Sequence, residues 1–119
     1  MGATIINTRV DIEESLSKVS LIANDVTTVY TVGPDKVKSL VDINILNKNS
    51  VTAKVDIWIG TKNKVPQDID LLEYNILFDA NSVFIRTAVL IGRNEVLYMR
   101  SDMDNVIVRV TGLEDRTRG

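Results

Sequence analysis

The stretch from Val37 to Ile59, VKSLVDINILNKNSVTAKVDIWI, decides the fold. Val37, Val41, Ile43 and Ile45 fall on one side of an extended chain, and Lys38, Asp42 and Asn44 fall on the other. After Asn47-Lys48-Asn49-Ser50 the alternation resumes. Val51, Ala53, Val55, Ile57 and Ile59 share one face, and Thr52, Lys54, Asp56 and Trp58 share the opposite one. A period of two marks a half-buried strand, and the Asn- and Ser-rich break marks a turn. The two runs read as a β-hairpin.

The same pattern extends outward in both directions. Val26 to Val32 is rich in Thr, Val and Tyr, and Gly33-Pro34-Asp35-Lys36 closes it as a turn. Asp70 to Phe78 brings Leu72, Tyr74, Ile76 and Phe78 to one side. Val83 to Ile91 does the same with Val83, Ile85, Val89 and Ile91, and Gly92-Arg93-Asn94 ends it. Glu95 to Arg100 and Asn105 to Thr111 read as a last pair joined at Ser101 to Asp104. Residues 1–24 differ. Thr4-Ile5-Ile6 has strand character, and Asp11 to Glu14 has the spacing of a capping box. Ile12 to Lys18 therefore reads as a short helix, or Val19 to Ala23 as an extended strand, and an extended arm with at most one helical turn is preferred. The prediction is an all-β, antiparallel, jelly-roll-like β-sandwich of seven strands, eight if the arm supplies one. Its divisions are an N-terminal arm (1–24), a sandwich domain (25–113) and a polar C-terminal tail (114–119).

Composition narrows the function classes. The chain has 119 residues, 45% of them hydrophobic and 25% charged, enough for one core and unlike a disordered segment. A net charge of -2 argues against a general affinity for nucleic acid or anionic membrane. No run approaches the ~20 apolar residues of a membrane helix, and the N-terminus lacks the pattern of a signal peptide. A soluble protein kept or assembled in the cytoplasm is expected.

The chain has no His and no Cys, which removes the usual general base, thiol nucleophile and soft metal ligands. Glu13-Glu14 and Glu114-Asp115 are adjacent carboxylates, but neighbours on an extended chain point apart, so they read as solvated surface rather than a glycosidase pair. Asp102-x-Asp104-Asn105 resembles the start of a calcium loop, but a strand begins where the loop would continue. A turn held by Asp and Asn side chains is the better reading. No catalytic, cofactor-binding or metal-binding residue is assigned, and no cofactor or small-molecule substrate is expected.

Apolar residues on both faces point to assembly. Phe84, Ala88 and Leu90 oppose the Val83–Ile91 set, and Leu97 and Met99 oppose Val96 and Tyr98. An isolated antiparallel sandwich normally makes its outer faces polar. Trp58 points outward by alternation and has three readings: a sugar platform, a subunit anchor, or packing beneath the 60–67 loop or the arm. The candidate subunit-interface residues are Ile5, Ile6, Leu16, Trp58, Phe84, Leu90, Leu97 and Met99. Glu73 and Arg86 are expected to meet across neighbouring strands, worth only ~0.2–1 kcal/mol.

Four segments read together carry a family resemblance: Val29-Tyr30-Thr31-Val32 before Gly33-Pro34, the stretch VDINILNKNSVTAKVDIWI, the stretch LLEYNILFDANSVFIRTAVLIGRNEVLYMRS, and the closing NVIVRVTGLE. Glu73-Tyr74, Phe78 to Asn81, Arg86-Thr87 and Val108 to Gly112 match its recurring motifs. With these, Val29 to Glu114 resembles small virion structural proteins of tailed bacteriophages, particularly marine and cyanobacterial phages. The chain departs from that family in carrying Ala88 where a Gly follows the Arg-Thr pair, and Arg93-Asn94 where a small-residue turn is frequent. The resemblance implies a β-sandwich module without enzyme activity or cofactor, present in many copies in a virion assembled in the host cytoplasm. Its place would be a tail, baseplate or fibre attachment, or a capsid decoration. Its partners would be copies of itself and other virion proteins. The arm lies outside the match, and locking of subunits by the arm predicts that deleting residues 1–20 leaves a folded domain that assembles poorly.

Overall fold

The computed structural model describes residues 14–116, and they form eight strands and a single 3-10 turn. In chain order the strands are β1 (Glu14–Leu21), β2 (Thr27–Thr31), β3 (Lys36–Asn47), β4 (Ala53–Thr61), β5 (Leu71–Phe78), β6 (Val83–Gly92), β7 (Glu95–Ser101) and β8 (Val106–Arg116), with the 3-10 turn at Asp68–Asp70 before β5. A front sheet has the order β1-β8-β3-β6 and a back sheet the order β2-β7-β4-β5. All pairings are antiparallel. The pairs nest as β1 with β8, β2 with β7, β3 with β6 and β4 with β5, the scheme of an antiparallel ribbon rolled up into a jelly-roll-like sandwich.

This topology corrects four expectations. β3 and β4 are not a hairpin but lie in opposite sheets, as do β7 and β8. Asn47 shows why the chain crosses over. It is fully buried at the end of β3, and its side-chain amide donates to the carbonyls of Val51 (2.9 Å), Phe78 (3.3 Å) and Asp79 (3.1 Å). Its Oδ1 accepts from the Asn49 amide at 2.9 Å. The Asn-Lys-Asn-Ser segment is thus tied to the β5–β6 turn rather than folded back on β3. The arm supplies the eighth strand as β1, so residues 14–18 are extended rather than helical, and deleting residues 1–20 would strip an edge strand from β8 rather than spare the domain. Nor does Glu114 belong to a loose tail, since β8 continues through it.

The core lies between the sheets. Val41, Ile43 and Ile45 of β3, Val106, Val108 and Val110 of β8, and Val89 and Ile91 of β6 face Ala53, Val55 and Ile57 of β4 and Leu97 and Met99 of β7. One polar contact crosses it. The Tyr30 hydroxyl on the back sheet donates to the Glu114 carboxylate on the front sheet and lies 2.7 Å from the hydroxyl of fully buried Ser39. Burial, and then the bond to Glu114, push the Tyr30 pKa up from 10.0 to about 12.

Two β-bulges set which side chains face the core. In β6, Thr87-Ala88 stand opposite the single residue Asp42, Ala88 has φ 57°, and its amide donates to Asp42 Oδ1 at 3.0 Å. In β5, Tyr74-Asn75 stand opposite Asp56, Asn75 has φ 51°, and its amide donates to Asp56 Oδ1 at 2.8 Å. An extra residue flips the alternation on one side of it. Tyr74, expected in the core, is therefore exposed, and Val83 and Ile85 point outward while Val89 and Ile91 point inward.

The Gly112 position in central β8 admits no side chain, because a Cβ there would overlap the Leu40 carbonyl oxygen and stand 2.8 Å from the Val41 Cα. Gly112→Ala is expected to lower unfolding stability by ~2 kcal/mol or more in urea titration. Ala88→Gly is expected to raise it by up to about 1 kcal/mol, because the left-handed backbone at 88 strains a Cβ while glycine loses more chain entropy. Tyr30 makes stability fall as pH rises. The unfolded chain ionises this phenol near pH 10.0, but the folded protein holds its proton until about 12. Roughly 2–3 kcal/mol is lost across that window. A series of melts from neutral to high pH should show the loss, and Tyr30→Phe should flatten it.

Candidate functional site

The outer face of the front sheet carries several exposed apolar side chains. Cross-strand register lines up its side chains in rows. Leu40 on β3 stands between Leu113 on β8 and Leu90 on β6, and the three are 47%, 37% and 59% exposed. The next row toward the β3 C-terminus holds Asp42 and Thr111. The row after that holds Lys18, Arg109, Asn44 and Ile85. A fourth holds Ser20, Ile107, Leu46 and Val83. Two apolar rows thus bracket two polar ones. The β6 bulge is what puts Val83, Ile85 and Leu90 on the same face, since their numbering alone would split them.

The eight interface candidates from the sequence are dispersed by the structure. Ile5 and Ile6 lie outside the described residues. Leu16 is half-buried and packs on the core. Phe84 does so too, with its ring stacked on Phe78 at 6.3 Å between centroids. Leu97 and Met99, expected on the outer side of β7, are fully buried between the sheets, while Val96 and Tyr98 take the outer side. The Val29 insertion that shifts the β2–β7 register accompanies this arrangement. Of the six candidates among the described residues, Leu90 alone sits on an exposed face.

Trp58 faces outward on the back sheet, as its alternation predicts, but it is only 8% exposed. Leu71, Val96 and Tyr98 pack around it. The Arg100 guanidinium lies over its ring at 5.7 Å from the centroid and also binds the buried Asp56 carboxylate at 2.8 Å. The Tyr98 hydroxyl donates to the Thr61 and Lys64 carbonyls, each at 3.0 Å, which holds the start of the 62–66 loop against this cluster. Trp58 is thus packed rather than free, and the cover comes from β5 and β7 where the loop or the arm was expected.

Of the acidic groups singled out in the sequence, Glu73, Asp102, Asp104 and Glu114 have partners within the fold. Asp102 Oδ1 accepts from the Lys54 amide and Asp104 Oδ1 from the Ala23 amide, both at 2.8 Å, so this segment is the side-chain-held turn. Glu114 is half-buried against Tyr30 rather than solvated. Glu73 and Arg86 do meet, but across the two sheets at their open edge rather than on neighbouring strands of one sheet. Depressions open on the surface among the described residues. One of about 470 Å³ lies between the 62–66 loop and β2, floored by Val96 and Tyr98. Another, of about 390 Å³, lies beside that edge and contains Asp70, Arg86 and Glu95. Its polar groups are already engaged: Asp70 accepts from the Gln67 amide at 2.9 Å, Glu95 from the Gly92 amide at 2.7 Å, and Arg86 pairs with Glu73. No group of three or more Asp and Glu side chains suited to a metal ion occurs among the described residues.

No protein-family model, no curated protein and no solved structure matches the chain.

Leu40, Leu46, Ile107 and Leu113 were missed by the sequence reading, although parity with Asp42 and Asn44 places Leu40 and Leu46 outward. Trp58 is the chain's single tryptophan, so its fluorescence reports its cluster. The emission should be blue-shifted and poorly quenched by iodide, and Trp58→Ala should cost ~3–5 kcal/mol in denaturant unfolding.

Proposed function

We propose that the protein is a non-enzymatic structural module of a tailed-phage virion, acting in multiple copies at the tail, baseplate or fibre attachment. The observation that carries the assembly part of this reading is the outer row Leu113–Leu40–Leu90, exposed on a sheet whose inner face is already packed. Three leucines in direct register present continuous apolar surface to water, and contact with another chain removes that cost. The virion part rests on the sequence resemblance. Its Glu73-Tyr74 and Arg86-Thr87 motifs fall at the two bulges, where they have a structural purpose. Capsid decoration uses the same surface chemistry and stands as the alternative location. A carbohydrate-binding role has little support, since Trp58 is covered and Tyr74 is the only exposed aromatic ring among the described residues.

Two measurements test the reading. Sedimentation of the purified chain at micromolar concentrations should reveal association that weakens when Leu40 and Leu113 are changed to Ser, with the melting transition of the subunit little changed. A persistent 13.3 kDa monomer would contradict the assembly role. A protein inventory of purified particles should contain the chain at high copy number, and its absence would contradict the virion assignment.

A further inference from the structure

The row pattern on the front sheet has a symmetry of its own. Along β3 the order is apolar at Leu40, acidic at Asp42, then Asn44, which pairs with basic Arg109, and apolar at Leu46. Reversing the strand direction exchanges the two apolar rows with each other and the acidic row with the basic one. We propose that this face packs against the same face of a second copy, about a two-fold axis that lies across the strands. The inference rests on the assembly reading above and specifies its geometry.

Under that axis β3 runs over β3 in the opposite direction. Leu40 then covers Leu46 of the second copy, Leu113 covers Ile107, and Leu90 covers Val83. Asp42 comes over Asn44 and within diagonal reach of Arg109 on the adjacent strand. The charges choose this axis over the other one available to two stacked sheets. Lys18 and Arg109 are directly paired across β1 and β8, and neither has a carboxylate partner among the described residues. Like charges in direct register are unfavourable on an isolated sheet. An axis parallel to the strands, running between β8 and β3, would stack each row on itself in reversed order, with Arg109 over Asn44 and Lys18 over Ile85, and would bring neither cation a carboxylate. The crosswise axis instead brings an Asp42 carboxylate beside each Arg109.

The size of the face is sufficient. β3 has 12 residues and the sheet has four strands. At ~3.3 Å per residue and ~4.8 Å per strand this gives on the order of 700 Å², close to the ~800 Å² per partner of a standard interface. An isologous contact of this kind closes on itself, so it yields a discrete dimer as the building unit rather than an open fibre.

The absence of native cysteine allows a direct geometric test on the full chain. Facing sheets stand ~10 Å apart, which suits a short bis-maleimide cross-linker. The double variant Leu40→Cys/Leu46→Cys should give a covalent dimer in high yield, and Leu40→Cys alone should not, because its two copies would lie ~20 Å apart. Leu113→Cys/Ile107→Cys repeats the test on β8 should the first pair fail to fold. Arg109→Glu should weaken dimerisation about tenfold as read by light scattering. Equal cross-linking by Leu40→Cys alone would place the axis along the strands and overturn the proposal. An unchanged dimerisation constant for Arg109→Glu would overturn it as well. Scattering that shows a dimer while both double variants stay uncross-linked would reject this face and leave the assembly reading intact. A monomer at every concentration would reject both.

Discussion

The hydrogen bond from the Ala88 amide to Asp42 decides what each half of β6 shows to water. It fixes an extra residue in the edge strand and so reverses the alternation partway along. Upstream of it Phe84 and Arg86 turn inward while Val83 and Ile85 turn outward, and downstream Val89 and Ile91 turn inward while Leu90 turns outward. Without the bulge, the pairing that buries Val89 and Ile91 would also bury Val83 and Ile85, and the outer face would lose half of its apolar edge. A charge-assisted bond of this type is worth ~1.5–3 kcal/mol, enough to hold a left-handed alanine that costs ~1–2 kcal/mol. The interaction therefore belongs to the fold and to the surface the fold presents.

The back sheet repeats the device with Asp56 and Asn75, and the repetition has a consequence at the open edge of the sandwich. Glu73 and Arg86 each precede a bulge, each turn inward, and meet across the gap between β5 and β6. At the opposite edge the Ser17 hydroxyl donates to the Val29 carbonyl, joining β1 to β2. Through the middle, Tyr30 reaches Ser39 and Glu114. The sheets are thus held by apolar burial and by polar stitches at both edges, which makes a rigid slab suited to repeated contacts. At one end, Asn47 and the Asp102–Asp104 turn tie the loops to one another.

Much of the strand content was legible from alternation, because Val41, Ile43, Ile45, Val55 and Ile57 keep an unbroken period of two through the centre of both sheets. What alternation does not encode is which strand pairs with which. The runs either side of Asn47 read as a hairpin because a hairpin is the shortest connection, and only the buried amide of Asn47 reveals the crossover. Bulges were the second blind spot. Neither Ala88 nor Tyr74-Asn75 carries the glycine that would announce an inserted residue, so the faces of β5 and β6 were misassigned beyond it. Trp58 was legible in direction but not in cover, since the residues that shield it come from β5 and β7. The candidate interface residues were displaced by these effects, and Leu90 keeps the outward direction expected of it because it lies on the well-paired side of the bulge.

The proposed assembly role depends on a surface of aligned leucines carried by a slab pinned at its edges. Its most direct test is methyl NMR of leucine-labelled protein followed through dilution across the micromolar range. The account predicts that the methyl signals of Leu40, Leu90 and Leu113 shift together with concentration while those of Leu21 and Leu97, sealed in the core, stay fixed. Signals from the three outer leucines that remain unmoved over the whole range would contradict it.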